Sequence, residues 1–443
     1  MNNTRRRVLK TMLIATGALA ASATHATLPI QQWQTTGGAR VLFVETHDLP
    51  MIDIALDFPA GASRDAADKS GAASLTLGLM RTGAAAFGEN EISERLANVG
   101  AELSGRFDMD RAGYALRSLS STRERSEALG VLAAVLQNPT FPRDVFDREQ
   151  QRMLAGLKEA ETKPQVLADR EFRRLLYGRH PYALTGSGTV ETVAKLSRED
   201  LVDFYRRYFT AGEAVVSIIG DLSRAEAAAI AEQLTAGLGR SSAALPILPP
   251  VAQIETGQTS RIAHPASQAH ILIGQPGIKR VDPDYFPLWL GNHILGGGGF
   301  SSRLNEEIRQ KRGYAYSTYS YFNPLAQEGP FQIAVQTKKE QVAEALKVAQ
   351  DTLAKFVADG PTQPELDAAK QNVIGGFPLR IDSNRKIQDY LSIIGFYRLP
   401  LTYLDDFPVQ IERVTLEQIR DAWRRRMHPH QMVTVIVAGA ESP

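Results

Sequence analysis

Arg309 and Tyr316 lie seven positions apart in the sequence and carry side chains that could act together on one ligand. Both the guanidinium and the phenol donate hydrogen bonds. Four consecutive glycines, at positions 296 to 299, precede them. Because glycine has a high backbone entropy cost and no side chain, we expect something to approach this backbone closely. We therefore predict that Arg309 and Tyr316 converge on one site, with Gly297 and Gly298 in contact with its ligand.

A helix and a strand must position these two side chains. Apolar residues recur every four positions after the glycines, at Phe300, Leu304 and Ile308. This spacing predicts a helix that the serines after Phe300 can cap and that Gly313 can end. The β-forming residues from Tyr314 to Tyr321 predict a strand. Arg309 would then lie in the last turn of the helix and Tyr316 at the start of the strand.

The length and composition indicate a multidomain globular protein. The chain has 443 residues, of which 43% are hydrophobic and 22% charged. Residues 1–26 hold four basic and no acidic residues, so their removal leaves 46 basic and 49 acidic residues, a net charge of −3. This balance indicates neither nucleic acid nor a membrane surface as a partner.

The N-terminus has the pattern of an export signal. The basic stretch Thr4 to Lys10 precedes an Ala-rich apolar stretch from Met12 to Ala23, and cleavage is expected after Ala26. The paired arginines are typical of a twin-arginine signal, although a general secretory signal is also consistent with the pattern. The apolar stretch is too short to span a bilayer securely, so we expect a periplasmic protein without stable membrane insertion. The chain has no cysteine, which excludes disulfides, thiolate catalysis and cysteine-ligated zinc.

The mature chain alternates between β-rich and helical patterns. Two β-rich runs, Arg40–Thr46 and Met51–Phe58, are separated by four residues that predict a hairpin turn. Helical patterns follow at about 70–80, 89–99, 122–137, 144–162, 165–177 and 197–208, with strands at about 113–119 and 214–219. Residues 241–257 contain clustered prolines without periodicity, which predicts a linker between two domains.

The helix and strand before this linker recur near the C-terminus. Residues Ser197 to Arg207 align without gaps, at an offset of 218, with Thr415 to Arg425, and the apolar strands that follow also align. Both copies begin with a hydroxyl N-cap. Helix–strand pairs can look alike by chance, but Glu94-Arg95-Leu96 and Ser302-Arg303-Leu304 also correspond after a ten-residue shift. We therefore predict two homologous α+β domains, 35–240 and 258–443, each an antiparallel-rich sheet with helices mainly on one face.

These features resemble the pitrilysin or insulinase-like family of zinc metallopeptidases from about residue 38 to the C-terminus. The most specific matches are Phe58 to Arg64, Ile294 to Gly298, Ser302-Arg303-Leu304, and Ile308-Arg309 with Ala315-Tyr316-Ser317. The resemblance implies two homologous α+β domains that form half of a clamshell. It also implies a zinc site with an inverted H-x-x-E-H motif in the first domain, at which Arg309 and Tyr316 hold and polarise a peptide.

The positions that this resemblance assigns to zinc ligands hold other residues. Ser74, Leu77 and Gly78 stand where the family has the first His, the catalytic Glu and the second His, and Gly156 stands where it has a further Glu. A catalytic zinc needs about three protein ligands, an open water position and a base within reach of that water. The remaining candidate histidines are isolated from one another and from carboxylates: His264, His270, His293, His428 and His430. We expect no zinc and no other cofactor in this chain.

The resemblance then implies a shared active site. In family members built from separate chains, one subunit carries H-x-x-E-H and the other supplies the arginine and the tyrosine. This chain resembles the second kind, so a heterodimer with a zinc-bearing homologue is expected to hydrolyse peptides. Arg309 would donate to a backbone carbonyl of the peptide and Tyr316 to the oxyanion. Two alternatives stay open: a non-catalytic peptide-binding or scaffold protein of this fold, and a hydrolase with unrecognised ligands.

Overall fold

A computed structural model describes residues 29–240 and 244–439 of the protein. The predicted export signal at residues 1–26 lies outside the described residues. None of the helices in the described ranges is long and apolar enough to cross a bilayer.

The first half of the chain contains a six-stranded sheet, a small two-stranded sheet and eight α-helices within the described residues. The strands are β1 (Gln31–Gln34), β2 (Arg40–Glu45), β3 (Met51–Phe58), β4 (Gly83–Ala84), β5 (Phe87–Gly88), β6 (Glu102–Phe107), β7 (Ala112–Leu119) and β8 (Val215–Gly220). The helices are α1 (Ala72–Met80), α2 (Glu89–Asn98), α3 (Thr122–Gln137), α4 (Arg143–Ala160), α5 (Pro164–Tyr177), α6 (Val190–Val193), α7 (Arg198–Tyr208) and α8 (Arg224–Thr235). The predicted helices and strands in this half are confirmed to within a few residues.

The second half contains a five-stranded sheet and six further α-helices within the described residues. The strands are β9 (Thr259–Ala263), β10 (Gln268–Pro276), β11 (Ala315–Phe322), β12 (Pro330–Lys338) and β13 (Val433–Ala438). The helices are α9 (Tyr285–Asn292), α10 (Val342–Asp359), α11 (Gln363–Gly375), α12 (Asn384–Tyr397), α13 (Tyr403–Arg413) and α14 (Leu416–Arg426). Residues 244–258, which connect the halves, form neither helix nor strand. The domain bounds 35–240 and 258–443 stay a prediction.

The hairpin predicted from β2 and β3 is wrong. The strand order of the first sheet is β1-β2-β8-β3-β7-β6, so β8 lies between them, parallel to β2 and antiparallel to β3. All six residues of β8 are buried. A strand that is apolar on both faces needs a central position in its sheet. The connection between β2 and β3 is long enough to step over one strand, a distance of about 10 Å.

The two sheets repeat one topology. The second sheet has the order β9-β13-β10-β12-β11, which matches the first sheet strand for strand apart from the additional edge strand β1. Helix α14 and strand β13 begin and end 218 residues after α7 and β8. Ser197 caps α7 and Thr415 caps α14, each in a reciprocal box with the residue three positions on. The predicted α+β architecture with two homologous units is confirmed.

The two halves exchange one helix each. Helix α5 of the first half packs on β10 and β13 of the second sheet, and α12 of the second half packs on β3 and β8 of the first. The contacts are close: a Cβ added to Gly274 would lie 2.8 Å from Phe172 of α5, and one added to Gly395 of α12 would lie 2.6 Å from Val215. Each sheet is therefore covered by its own helices on one face and by the exchanged helix on the other.

A buried carboxylate joins the halves. Asp110 of the first half accepts hydrogen bonds from the Tyr182 hydroxyl (2.7 Å), from the Tyr397 hydroxyl (2.8 Å) and from the backbone N–H of Ala326 (2.7 Å). Tyr397 ends α12, and Ala326 belongs to the loop between β11 and β12. Because a charged acceptor makes stronger hydrogen bonds than a neutral one, this cluster fixes the loop and the exchanged helix against the first half.

Candidate functional site

Helix α1 carries three of the four positions at which the family resemblance expects zinc-site residues. Its sequence is small and apolar, and seven of its nine residues are buried. Leu77 is 6% exposed and lies against β6, where a Cβ added to Gly105 would be 3.6 Å from its side chain. Gly78 faces open space. The Ser74 hydroxyl donates to the carbonyl of Gly71 at 3.2 Å. These contacts are those of an ordinary packed helix.

The fourth position, Gly156, lies on the exposed side of α4, and a Cβ there would meet no atom within 4 Å. Across residues 29–240 and 244–439, no group of three or more His, Asp or Glu side chains could hold a metal ion. Ser74, Leu77, Gly78 and Gly156 therefore provide no set of ligands for zinc.

A carboxylate that sequence reasoning did not single out holds the start of α1. Asp65 accepts hydrogen bonds from the backbone N–H groups of Gly71 (2.7 Å) and Ala73 (2.8 Å). Burial raises the pKa of Asp65 to about 7, against the two backbone hydrogen bonds, which lower it. Asp65 thus satisfies donors at a helix N-terminus that has no capping side chain of its own. The signal in the sequence was an acidic residue shortly before the small-residue helix.

The first two glycines of the run in the second half, Gly296 and Gly297, end a π-helical turn rather than forming an open loop. Residues His293–Gly297 are π-helical, and the N–H of Gly298 donates to the carbonyl of His293, five residues back, at 2.7 Å. A Cβ on Gly296 would lie 2.3 Å from the Ser320 hydroxyl of β11. The close approach that the glycines predicted is thus made at Gly296 by the protein's own strand. The contact of Gly297 and Gly298 with a ligand stays a prediction.

The helix after the glycines begins later than the apolar spacing predicted. Gly299 has a φ of +66°, and Ser302 is extended, so Phe300 lies in a separate turn ahead of the helix. Leu304 and Ile308 are fully buried as expected, whereas Phe300 is 68% exposed. The prediction that Phe300 shares their apolar face is wrong, because an extended residue interrupts the helical period. The Ser302 hydroxyl does not cap the helix but donates to the carbonyl of Gly299 at 2.7 Å.

Arg309 lies in a second π-helical segment, Asn305–Gln310. The turn that follows it contains Gly313, which has a φ of +65°. The N–H of Gly313 donates to the carbonyl of Arg309, and that of Tyr314 to the carbonyl of Ile308, both at 2.9 Å. These bonds reverse the chain into β11. The turn brings the start of the strand beside the end of the helix, as the spacing of seven predicted.

Tyr316 occupies a β-bulge at the edge of the second sheet. Ala315 pairs with Thr337 and Ser317 with Gln336, so Tyr316 is the extra residue of β11. A bulge bends an edge strand and redirects a side chain. The Tyr316 side chain is 80% exposed.

The structure brings Arg309 and Tyr316 together and adds Phe300. The guanidinium carbon of Arg309 lies 5.8 Å from the ring centroid of Tyr316 and 4.8 Å from that of Phe300. Cation–π contacts at these distances hold a guanidinium without using its hydrogen-bond donors. No acidic side chain in the described ranges pairs with Arg309, and the Tyr316 hydroxyl makes no hydrogen bond there. Two positioned donors thus face solvent.

Buried hydrogen bonds hold the surrounding backbone. The Ser320 hydroxyl donates to Asn292 Oδ1 at 2.6 Å, and the Asn292 amide donates to the Ser320 carbonyl at 3.1 Å, so α9 is fixed to β11. A further hydrogen bond, which is exposed, runs from the Gln310 amide to the carbonyl of Phe300 at 2.6 Å and closes the turn. Asn292 and Ser320 were not singled out in the sequence, since nothing in their spacing links two residues 28 positions apart.

Comparison with known proteins gives two adjacent family matches. Residues 40–187 match the family described as insulinase (peptidase family M16), and residues 195–373 match the peptidase M16 inactive domain. A crystal structure of a peptidase M16 inactive domain from Pseudomonas fluorescens is 39% identical, with a TM-score of 0.90 over 94% of this chain and 99% of that chain.

Two further similarities extend over most of this chain. A non-peptidase homologue, YmxG, from Helicobacter pylori is 27% identical over 414 residues, which cover 90% of this chain and 91% of that protein. The periplasmic protease PqqL from Escherichia coli is 15% identical, with a TM-score of 0.78 over 93% of this chain and 45% of its own. At 15% identity, the similarity to PqqL concerns the fold alone.

Proposed function

Because the chain belongs to the insulinase family of peptidases, M16, and matches its inactive domain, we propose that it is the non-zinc-binding subunit of a periplasmic metallopeptidase. Its partner would be a homologue of similar size that carries H-x-x-E-H and zinc. This chain would supply Arg309 and Tyr316 to the partner's zinc site, and the substrates would be peptides.

One observation carries this proposal. The positions at which the family resemblance expects zinc-site residues hold side chains used for packing or none at all, whereas Arg309 and Tyr316 present free donors on a rigid, irregular backbone. Preorganised donors are valuable in catalysis because they need no rearrangement when charge develops on the substrate. A scaffold has no evident need of such an arrangement.

The part of this chain in the reaction is to bind and polarise the peptide. Arg309 would donate to a backbone carbonyl of the bound substrate, and the exposed Tyr316 hydroxyl would donate to the oxyanion that forms at the scissile carbonyl. Phe300, whose ring also lies close to the guanidinium, would help to keep it in place. The partner's zinc would supply an activated water.

The need for a second chain is supported by size. In a periplasmic protease of related fold, the part that resembles this chain makes up 45% of the polypeptide. A partner of similar length would bring this protein to a comparable total. The basic and apolar N-terminal residues support export to the periplasm, by the twin-arginine or the general secretory route.

The test is to express the mature chain alone and together with an exported H-x-x-E-H homologue. Alone, it should contain no stoichiometric zinc by elemental analysis and cleave no peptide. With the partner, light scattering should give a 1:1 complex with chelator-sensitive peptidase activity. Zinc bound to the isolated chain at one equivalent would overturn the proposal. A 1:1 complex whose peptidase activity is unaffected by substitutions at Arg309 and Tyr316 would favour the scaffold alternative.

A further inference from the structure

A cavity of about 410 Å³ lies between the two halves of the chain, away from the Arg309 and Tyr316 pair. Its walls come from both halves, and it falls within the range of about 300–1,000 Å³ that is usual for small-ligand sites. Three of its lining residues are arginines, Arg111, Arg173 and Arg280, and one is acidic, Asp108.

The arginines are unequally paired. Arg111 forms an ion pair with Asp108 (2.8 Å) and lies 3.9 Å from Asp57. Neither Arg173 nor Arg280 forms a direct ion pair with an acidic side chain of the described residues; the charge of Arg173 acts at longer range on Asp169 of the same helix, where it opposes the rise in pKa that burial causes. The buried Nε of Arg280 has no hydrogen-bond partner. The cavity therefore holds an excess of positive charge. A partly buried charge without a direct ion-pair partner is unfavourable, and an anion in the cavity would stabilise it.

The walls are held in place before any ligand binds. Arg280 lies 5.2 Å and Arg111 5.8 Å from the ring centroid of Tyr397, whose hydroxyl is fixed by Asp110. The backbone N–H of Arg280 donates to the carbonyl of Leu325 at 2.7 Å. Arg173 reaches the cavity because its helix, α5, is one of the two that the halves exchange. A site with fixed walls loses little conformational entropy on binding.

We propose that this cavity binds an anionic group with several oxygen acceptors, a carboxylate or a phosphate, between Arg173 and Arg280. Arginine is suited to both groups because its planar guanidinium can donate two parallel hydrogen bonds to two oxygens. The group comes either from a small free anion or from the C-terminus of a peptide. The site belongs to this chain alone, so it can be measured without any partner.

The experiment uses calorimetric titration of the purified mature chain at constant ionic strength. One arm titrates phosphate and succinate, and the other titrates a ten-residue peptide with a free C-terminal carboxylate against the same peptide with a C-terminal amide. We expect a Kd below about 1 mM for at least one anion. A preference for the free acid over the amide identifies a peptide terminus as the source, and binding of phosphate or succinate alone identifies a small anion.

Three variants decide where the anion binds. Arg173→Gln and Arg280→Gln should each weaken binding about tenfold, as expected for one lost charged hydrogen bond. Arg143→Gln is the matched control, because it removes the same charge from an exposed position on α4 and should leave Kd unchanged. Arg173 makes no direct ion pair or hydrogen bond within the described residues and acts on Asp169 only at longer range, so its variant should fold even if Arg280→Gln does not.

Two outcomes would overturn the inference. One is the absence of binding by every probe. The other is binding that Arg173→Gln leaves unchanged or that Arg143→Gln weakens equally, which would show a response to net charge rather than to this cavity.

Discussion

Helix α1 in the first half and the glycine segment 293–313 in the second belong to units of the same topology but have opposite character. Helix α1 is a regular α-helix whose Leu77 packs against β6. The glycine segment contains two π-helical turns and two glycines with positive φ, and it leads into a β-bulge at Tyr316. The regular region buries its side chains, and the irregular region exposes Phe300 and Tyr316.

The difference between the two regions indicates which of them is the better candidate for a functional site. Irregular backbone persists only where the surrounding structure holds it, and π-helical turns and bulges are frequent at functional sites. The regular helix α1 needs no such support from its surroundings. Leu77 contributes to stability there as any buried core residue does. The first region should therefore respond to mutation through stability and the second through activity.

The largest expected effect is on activity. Tyr316→Phe in the reconstituted complex should lower kcat more than a hundredfold, about 3 kcal/mol of barrier, with little change in KM. Arg309→Ala should instead raise KM, because it also removes a contact to the bound peptide. Steady-state kinetics on a peptide substrate measure both. Tyr319→Phe, in the same strand, is the control and should be near wild type. A kcat of the Tyr316→Phe complex within about twofold of the wild-type value would contradict the shared-site mechanism.

The next effect is on stability in the opposite region. Leu77→Ala should lower the free energy of unfolding by about 3 kcal/mol, because it leaves a void between α1 and β6. Urea denaturation followed by circular dichroism measures the change. Leu49→Ala is the control, since Leu49 is 52% exposed and should change stability by less than about 0.5 kcal/mol. Equal effects of the two variants would mean that α1 is not packed as described.

A third test concerns the ion pair that holds the start of the irregular helix. Glu365 accepts two hydrogen bonds from Arg303, at 2.6 and 2.7 Å, and one from the N–H of Thr362 at 2.7 Å. Burial alone would raise the pKa of Glu365, but these hydrogen bonds and the charge of Arg303 lower it to about 2. Because the folded pKa is below the unfolded value, the stabilisation is complete above about pH 4.5 and is lost as the pH falls toward 2.

Glu365→Gln should therefore lower the free energy of unfolding by about 1.5 kcal/mol at pH 7, a value reduced for partial exposure. The difference from wild type should shrink between pH 4.5 and pH 2. Asp351→Asn is the control, because its pair with Lys347 is exposed and should contribute less than about 0.5 kcal/mol. A difference that does not vary with pH would contradict the assigned role of the carboxylate.

The smallest effect is a gain in stability. Gly78→Ala and Gly156→Ala should each raise the free energy of unfolding by about 0.5–1 kcal/mol, because both glycines lie in helices and face open space. Gly395→Ala is the contrasting helical variant and should destabilise, since its Cβ would lie 2.6 Å from Val215. Thermal melts suffice for the comparison, and a loss of stability at Gly78 would indicate a hidden close contact.

The sequence predicted the parts of this structure that depend on local pattern. The repeat at an offset of 218 gave α7, β8, α14 and β13, and the spacing of seven gave the meeting of Arg309 with Tyr316. The features that the sequence did not predict depend on residues distant in the chain or on irregular turns. The position of β8 between β2 and β3 is set by burial across the sheet, and the exposure of Phe300 by one extended residue.

No sequence pattern could have predicted the arginine-lined cavity between the halves. Arg111, Arg173 and Arg280 are separated by at least 60 residues, and no spacing relates them. They meet because α5 crosses to the second sheet and because β10 ends beside the loop that Asp110 holds.

The exchange of α5 and α12 joins the two halves of the described chain into one rigid unit. Separating the two sheets would break the contact of Phe172 with Gly274 and that of Gly395 with Val215. It would also break the hydrogen bonds that Asp110 accepts from Tyr397 and Ala326. A hinge between the halves would expose two apolar sheet faces at once, so bending within the chain is strongly opposed. If the proposed complex opens to admit a long peptide, the opening should therefore lie between its two polypeptides, with this one moving as a rigid body.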